Sequence, residues 1–178
     1  MVCSVIGLGK SAEGYENKGE QAIGVNDAYK IYPVDYLICV DPPVRFNKKR
    51  LATIRNSSPI EFLSHYSEWA SFMPMFRQIK LAPIRFDLRY LDSDLYCYSD
   101  NSPFVAVVHA YKMGASEIVM YGVDFVDHPA LNKDEHHNKR ILKMYFELSK
   151  ELARRNVKLY VSSNLSLLSQ VLPIYAKR

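Results

Sequence analysis

The stretch that most limits what this chain can fold into is Ser102 to Phe125, SPFVAVVHAYKMGASEIVMYGVDF. Phe104, Val105, Val108 and Tyr111 fall at i, i+1, i+4 and i+7, the spacing of an apolar helix face. Gly114 follows as a residue free to adopt positive φ and stop that helix. Ile118 to Tyr121 then runs apolar without alternation, the pattern of a strand covered on both faces. It ends in Gly122-Val123-Asp124-Phe125, a residue that permits close backbone approach and then a carboxylate. A buried helix feeding such a strand predicts an open α/β sheet, and ligands of these sheets bind outside the carboxyl ends of the strands.

The rest of the chain is consistent with one domain over residues 1–178. A chain of 178 residues can bury roughly 70% of its unfolded surface, enough for a core without staples. The net charge of +4, from 23 basic and 19 acidic residues, suits anionic small molecules. No dense basic run points to duplex nucleic acid. No apolar run approaches the roughly 20 residues that span a bilayer, and MVCSVIGLGK does not resemble a signal peptide. Cys3, Cys39 and Cys97 lack metal-site spacing and are expected to be buried thiols, which predicts a cytoplasmic protein.

In chain order, Val2 to Gly7 reads as a strand followed by the turn Gly7-Leu8-Gly9-Lys10-Ser11, whose Lys10 and Ser11 could serve phosphate oxygens. It is neither a Walker loop nor a dinucleotide fingerprint, because the required glycine spacings are missing. Gln21 to Val25 reads as a strand ending in Asn26-Asp27, and Tyr36 to Val40 as one ending in Asp41-Pro42-Pro43. Polar residues thus recur at strand carboxyl ends, either as turn formers or as the makings of a site. Asn47 to Asn56 predicts an amphipathic helix with basic residues outside, Ile60 to Leu63 a strand, and Ser67 to Met75 a short helix stopped at Pro74. Gln78 to Ile84 predicts an edge strand holding Pro83, and Asp87 to Asp94 a charged surface loop. Tyr96 to Ser99 predicts a short strand, with Ser102 and Pro103 as N-cap and first residue of the central helix. After Phe125, a polar stretch through His137 predicts a short lid loop, followed by an amphipathic helix over Asn138 to Arg155. Lys158 to Val161 predicts the last strand and Leu165 to Leu172 a short helix.

Asp124, Asp127, His128, Asp134, Glu135, His136 and His137 form the densest metal-capable cluster, but adjacent histidines diverge on a helix and no HExxH pattern exists. No catalytic metal is therefore predicted. His109 lies in the apolar helix and reads as a core histidine, while His65 falls in a segment with no clear assignment. No GxSxG elbow is present, and no cysteine stands beside a histidine in a nucleophile motif.

The runs NSPFVAVVHAYKMGASEIVMYGVDF and HHNKRILKMYFELSKELARRNVKLYVSSNLSLL resemble bacterial sialyltransferases of the single Rossmann-like domain type, which use CMP-sialic acid. The order of a GxGxS turn, an Asn after the second strand and a polar-Pro pair after the third is also similar. The resemblance implies a single Rossmann-like, doubly wound α/β domain with a mostly parallel central sheet and a short lid loop. It implies a nucleotide turn from Gly7, Gly9 and Ser11, with Asn26 and Ser102 on the cytidine monophosphate. Gly122 and Asp124 would line the ribose or base, Ser166 would hold phosphate, and His137 or its neighbour His136 would be the general base. The implied function is metal-independent glycosyl transfer from a CMP-sugar or related donor to an unidentified acceptor, in a chain that could form a homo-oligomer. The chain departs from the family at Leu8, at Lys10 in place of Pro, and at Val126 where a lid tyrosine would stand; its lid is only about a dozen residues long. The chain also resembles the MptE-like pterin diphosphokinases, which share the GxGxS turn and the aspartate after the third strand. That alternative implies a diphosphotransferase with Mg²⁺ held by Asp41 and Asp124. A non-catalytic nucleotide binder is the third reading.

Overall fold

The computed structural model describes residues 1–126 and 135–176, among which nine strands and three α-helices occur. The strands are β1 (Val2–Ile6), β2 (Gln21–Val25), β3 (Tyr36–Ile38), β4 (Glu61–Ser64), β5 (Phe76–Gln78), β6 (Leu81–Arg85), β7 (Tyr96–Tyr98), β8 (Glu117–Tyr121) and β9 (Lys158–Val161). The helices are α1 (Lys48–Arg55), α2 (Ser102–Lys112) and α3 (Glu135–Ala153). Seven strands form one sheet in the order β5-β4-β3-β2-β1-β8-β9. Each adjacent pair in it is parallel. The strand order reverses at β1, which lies between β2 and β8. The carboxyl ends of β1 and β8 therefore mark the topological switch point.

Residues of alternating parity along the strands bury two cores. Cys3, Val5, Ile23, Val25, Ile118 and Met120 face α2, α3 and the β6–β7 pair. Ile6, Ala22, Leu37, Phe62, Val119 and Tyr121 face the other layer, with Trp69, Phe46 and Ile54 of α1. That second layer is built mostly from 3₁₀ turns, at Lys10–Gly14, Ala28–Lys30, Pro43–Arg45 and Ser67–Ser71. The connections there are too short for long helices. Within α2, Phe104, Val105, Val107 and Val108 are all fully buried, and each such side chain contributes about 1.5–3 kcal/mol. Gly114 takes φ 85 immediately after this helix, as predicted.

Several boundaries differ from the sequence expectation. The cap of α2 is Asn101, whose Oδ1 accepts from Phe104 N at 3.0 Å, so Ser102 is the first helical residue. The run from Gln78 to Ile84 is two strands: β5 ends the main sheet, Ile79 turns inward, and β6 pairs with β7 in a separate two-stranded sheet. The Ser67 to Met75 and Leu165 to Leu172 segments are single 3₁₀ turns, at Ser67–Ser71 and Leu167–Gln170. Helix α3 begins at Glu135, so His136 and His137 lie on its first turn and not in a loop. An acidic residue there suits the helix dipole, and a Glu135–Lys139 pair at 2.7 Å follows at i,i+4. Most of the anticipated lid, residues 127–134, lies outside the described residues. No described helix is long and apolar enough to cross a membrane.

Candidate functional site

At the switch point, β1 and β8 are joined by a clasp of backbone and buried polar groups. Gly7 N donates to Tyr121 O and Gly9 N to Gly122 O, both at 2.8 Å. A Cβ on Gly7 would stand 2.3 Å from Gly122 O, and one on Gly9 2.4 Å from Asp124 Oδ2. Gly122 has φ 64, and a Cβ on it would stand 2.7 Å from Ala12 Cβ. The three glycines thus let two turns touch, which the sequence had suggested as room for a ligand. Asp124, only 4% exposed, accepts from Ser11 N at 2.9 Å and from Ser11 Oγ. Ser11 Oγ in turn accepts from Gly122 N at 2.8 Å.

A phosphate oxygen requires a donor, and the serines singled out from sequence have already committed theirs. The Ser11 hydroxyl proton goes to Asp124. Ser166 Oγ donates to Val123 O at 2.8 Å and caps the turn by accepting from Leu168 N. Ser102 Oγ donates to Asn26 Oδ1 at 3.1 Å and accepts from Val40 N at 3.2 Å. In this structure the three serines brace elements from across the fold. Lys10 is exposed at the start of its turn.

On the other side of β1 the polar groups are not closed off. Asn26 follows β2 with φ 56, a left-handed conformation that Asn tolerates better than most residues. Its Oδ1 is held by Ser102, which directs the amide Nδ2, and that Nδ2 has no acceptor among the described residues. Beside it, Asp27 is nearly buried and takes two bonds from Arg50 of α1, Nε at 3.0 Å and Nη2 at 2.6 Å. The Arg50 guanidinium also lies 4.9 Å over the Phe46 ring. Its pKa is raised chiefly by the hydrogen bond to Asp27. This pair anchors α1 to the end of β2 and was not recognised from sequence.

Asp41 follows β3, and its carbonyl accepts from Trp69 Nε1 at 3.0 Å. His65 follows β4. Its ring lies 3.9 Å from that of Tyr66, and its carbonyl accepts from Gln78 Nε2 at 3.0 Å. His65 went unassigned in the sequence, although it stands after a strand as Asn26 and Asp41 do.

Helix α3 returns towards β9, so its first turn, with His137, stands at the carboxyl edge. Tyr145, fully buried further along α3, donates to Asn101 Oδ1 at 2.9 Å and so ties α3 to the cap of α2. His137 Nε2 is enclosed and has no hydrogen-bond partner among the described residues. His136 is exposed.

The thiols are unsuited to nucleophilic work: burial pushes Cys3 up to about 12 and Cys97 up to about 11, and it raises Cys39 well above the ordinary value. No group of three or more His, Cys, Asp or Glu able to hold a metal occurs among the described residues. Asp41 and Asp124 follow strands three places apart in the sheet, roughly 14 Å at ordinary strand spacing. Both oxygens of Asp124 already accept from Ser11. The pair therefore does not fit a single Mg²⁺, whose ligands stand at about 2.0–2.1 Å.

No protein-family model matches the chain, and no curated protein sequence matches it. Solved structures do. The sialyltransferase CstII from Campylobacter jejuni in complex with the substrate analogue CMP-3FNeuAc aligns with a TM-score of 0.59 and 15% identity, over 99% of this chain and 86% of that one. CstII in complex with a trisaccharide acceptor and CMP aligns with a TM-score of 0.60 and 14% identity, over 99% and 86% of the two chains. The fold is that of these sialyltransferases, as the sequence resemblance implied.

Proposed function

We propose that the chain binds a CMP-sugar or related nucleotide-sugar across the carboxyl edge from β8 to β4, and transfers the sugar to an acceptor hydroxyl. The observation that carries this reading is Asn26. A residue in a left-handed conformation beside the switch point has its carbonyl oxygen fixed by Ser102 and its amide protons left to donate. Left-handed non-glycine residues are uncommon and gather at ligand sites. The likeness to folds solved with CMP and with CMP-3FNeuAc supports the choice of nucleotide. In this scheme Asn26 and Lys10 contact the nucleotide directly. Gly7, Gly9, Ser11, Gly122, Asp124, Ser102 and Ser166 shape the edge from behind.

For transfer, the acceptor oxygen attacks the anomeric carbon while the bond from that carbon to the phosphate oxygen breaks. The electron pair leaves with CMP, and the acceptor proton passes to His137. An imidazole on the first turn of α3, a helix tied to the cap of α2 through Tyr145, is placed for that task. Calorimetry and thermal melting with CMP test the binding step. At 100 times its dissociation constant CMP adds about 2.7 kcal/mol, a rise of roughly 5–10 °C for a chain of this size. No rise at millimolar CMP or CMP-sugar overturns the reading. His137→Ala is expected to keep CMP affinity and to lower turnover roughly 10²–10⁴-fold. Unchanged turnover would remove His137 from the scheme. CMP binding with no transfer to any acceptor would leave a nucleotide binder.

A further inference from the structure

The amino ends of the strands, away from the edge described above, carry a cavity of about 800 Å³. That volume lies within the usual range for small-molecule sites. Tyr96 opens β7, Ser116 precedes β8 and Val157 precedes β9, and all three line it together with His109 and Lys112 from the last turn of α2. Leu91, Tyr96, Ala115 and Val157 are buried and give it an apolar wall. No residue assigned above to the nucleotide edge takes part in it.

His109 is buried, and its Nδ1 lies 2.9 Å from the Tyr96 hydroxyl. Its Nε2 is enclosed and has no hydrogen-bond partner among the described residues. Burial raises the Tyr96 pKa, and the nearby guanidinium of Arg77 opposes that rise. A guanidinium can only donate, so the hydroxyl turns its oxygen towards Arg77 and its single proton towards Nδ1. The neutral ring then carries its own proton on Nε2, a buried donor without an acceptor, which folded proteins rarely leave. Lys112 stands three residues further along α2, on the same face. Its Nζ is 5.4 Å from the centre of the Tyr96 ring, and the His109 ring stacks on that ring at 6.0 Å. Two Lys112 protons go to the carbonyls of Leu91 and Ser93. No carboxylate is bonded to this ammonium among the described residues: Asp92 and Asp94 act on it only at a distance, and burial lowers its pKa. The other lining cations are matched, Arg77 by Glu61 and Arg155 by Asp92 and Glu151. An imidazole N–H and an ammonium proton beside one aromatic ring fit a carboxylate, whose two oxygens accept one bond each. The two aspartates disfavour a dianion there.

We propose that this cavity binds a small apolar monocarboxylate, with His109 Nε2 and Lys112 Nζ as its donors. The inference is independent of the nucleotide reading. Benzoate is the probe, with benzamide as its neutral counterpart and inorganic phosphate as a second anion. Nitrogen NMR of the His109 ring and calorimetry, on the full chain at neutral pH, follow their binding. The free protein should show His109 protonated on Nε2 alone. Benzoate should move that Nε2 resonance saturably and bind at least about tenfold more tightly than benzamide or phosphate. His109→Phe should weaken benzoate about five- to tenfold, and Lys112→Met at least about tenfold, as expected for a neutral and a charged hydrogen bond. Cooperative thermal melting shows which variants are folded, and the titration of the parent decides if neither is. An Nε2 resonance that benzoate leaves unmoved at high millimolar concentration means that water satisfies this donor, and it overturns the site. Parent-like benzoate affinity in both folded variants places the probe elsewhere and also overturns it. Benzamide or phosphate binding as tightly as benzoate overturns the choice of a monocarboxylate.

Discussion

The two sides of β1 use the same kinds of residue for opposite ends. Towards β8, the polar side chains of Ser11 and Asp124 are buried and bonded to each other, and the glycines close the gap between turns. Towards β4, the Asn26 amide Nδ2 makes no hydrogen bond among the described residues, His65 Nδ1 is enclosed without a partner among them, and Asp41 follows β3. On one side of this edge a strand-end motif of glycine, serine and aspartate spends its polar atoms on joining β1 to β8. A plainer set of asparagine, aspartate and histidine has the open hydrogen-bonding capacity. An amide donor left open at the strand edge is a better pointer to a ligand than a motif whose polar atoms are bonded to each other.

The largest expected effect is on the scaffold. Gly7→Ala drives a methyl group into the Gly122 carbonyl, and both are held by strand-end hydrogen bonds that cannot give way. It should cost about 3 kcal/mol or more, which lowers the melting temperature by roughly 6–12 °C. Whatever fraction remains folded should bind CMP with nearly the parent's affinity. A stable Gly7→Ala protein with greatly weakened CMP binding would reverse the comparison and return the glycine turn to the ligand.

Acid separates fold from site in a second way. His109, on the last turn of α2, is 3% exposed, and its Nδ1 lies 2.9 Å from Tyr96 OH. Burial, with Arg77 and Lys112 nearby, pushes its pKa from 6.5 down to about 4. Between those values the unfolded chain takes up a proton that the folded chain refuses. The stabilisation is complete above about pH 6.5, declines as the pH falls, and is fully lost below about pH 4. By pH 5 the loss should reach about 2 kcal/mol. Urea unfolding at pH 7 and pH 5 should show that loss in the parent and not in His109→Gln. An equal loss in both would place the acid sensitivity elsewhere.

Much of the fold was legible because its signals are local. β2 over Gln21–Val25 and β9 over Lys158–Val161 have the predicted bounds, since each is an apolar run between turn residues. The split between β5 and β6 was not legible, because leaving one sheet for another depends on partners distant in sequence. The covering turns of the second layer could not be told from short helices, as one turn carries no period. The site was less legible for a related reason. Ser11 meets Asp124 across 113 residues and Ser102 meets Asn26 across 76. No local pattern reveals that a hydroxyl proton is already committed. His65 was missed because the only signal was its place after a strand, which acquires meaning once β4 is known to lie beside β3.

The smallest effect on stability, and the most direct test of the open side, comes from Asn26→Asp. Aspartate is nearly the same size as asparagine and shares its tolerance of left-handed backbone, so φ 56 remains accessible. It also keeps the oxygen that accepts from Ser102 Oγ. The fold should therefore change by less than about 1 kcal/mol. What disappears is the amide donor, and a negative charge takes its place. If that amide faces a phosphate-bearing ligand, a lost hydrogen bond and a new repulsion act together, and CMP affinity should fall at least about tenfold. Added salt should recover part of the loss, because screening weakens repulsion between partly exposed charges and does not restore a hydrogen bond. Unchanged CMP affinity in a folded Asn26→Asp protein would show that an unsatisfied polar atom on this edge is not a mark of the ligand. The β1–β8 side would then have to be searched again, beginning with Lys10.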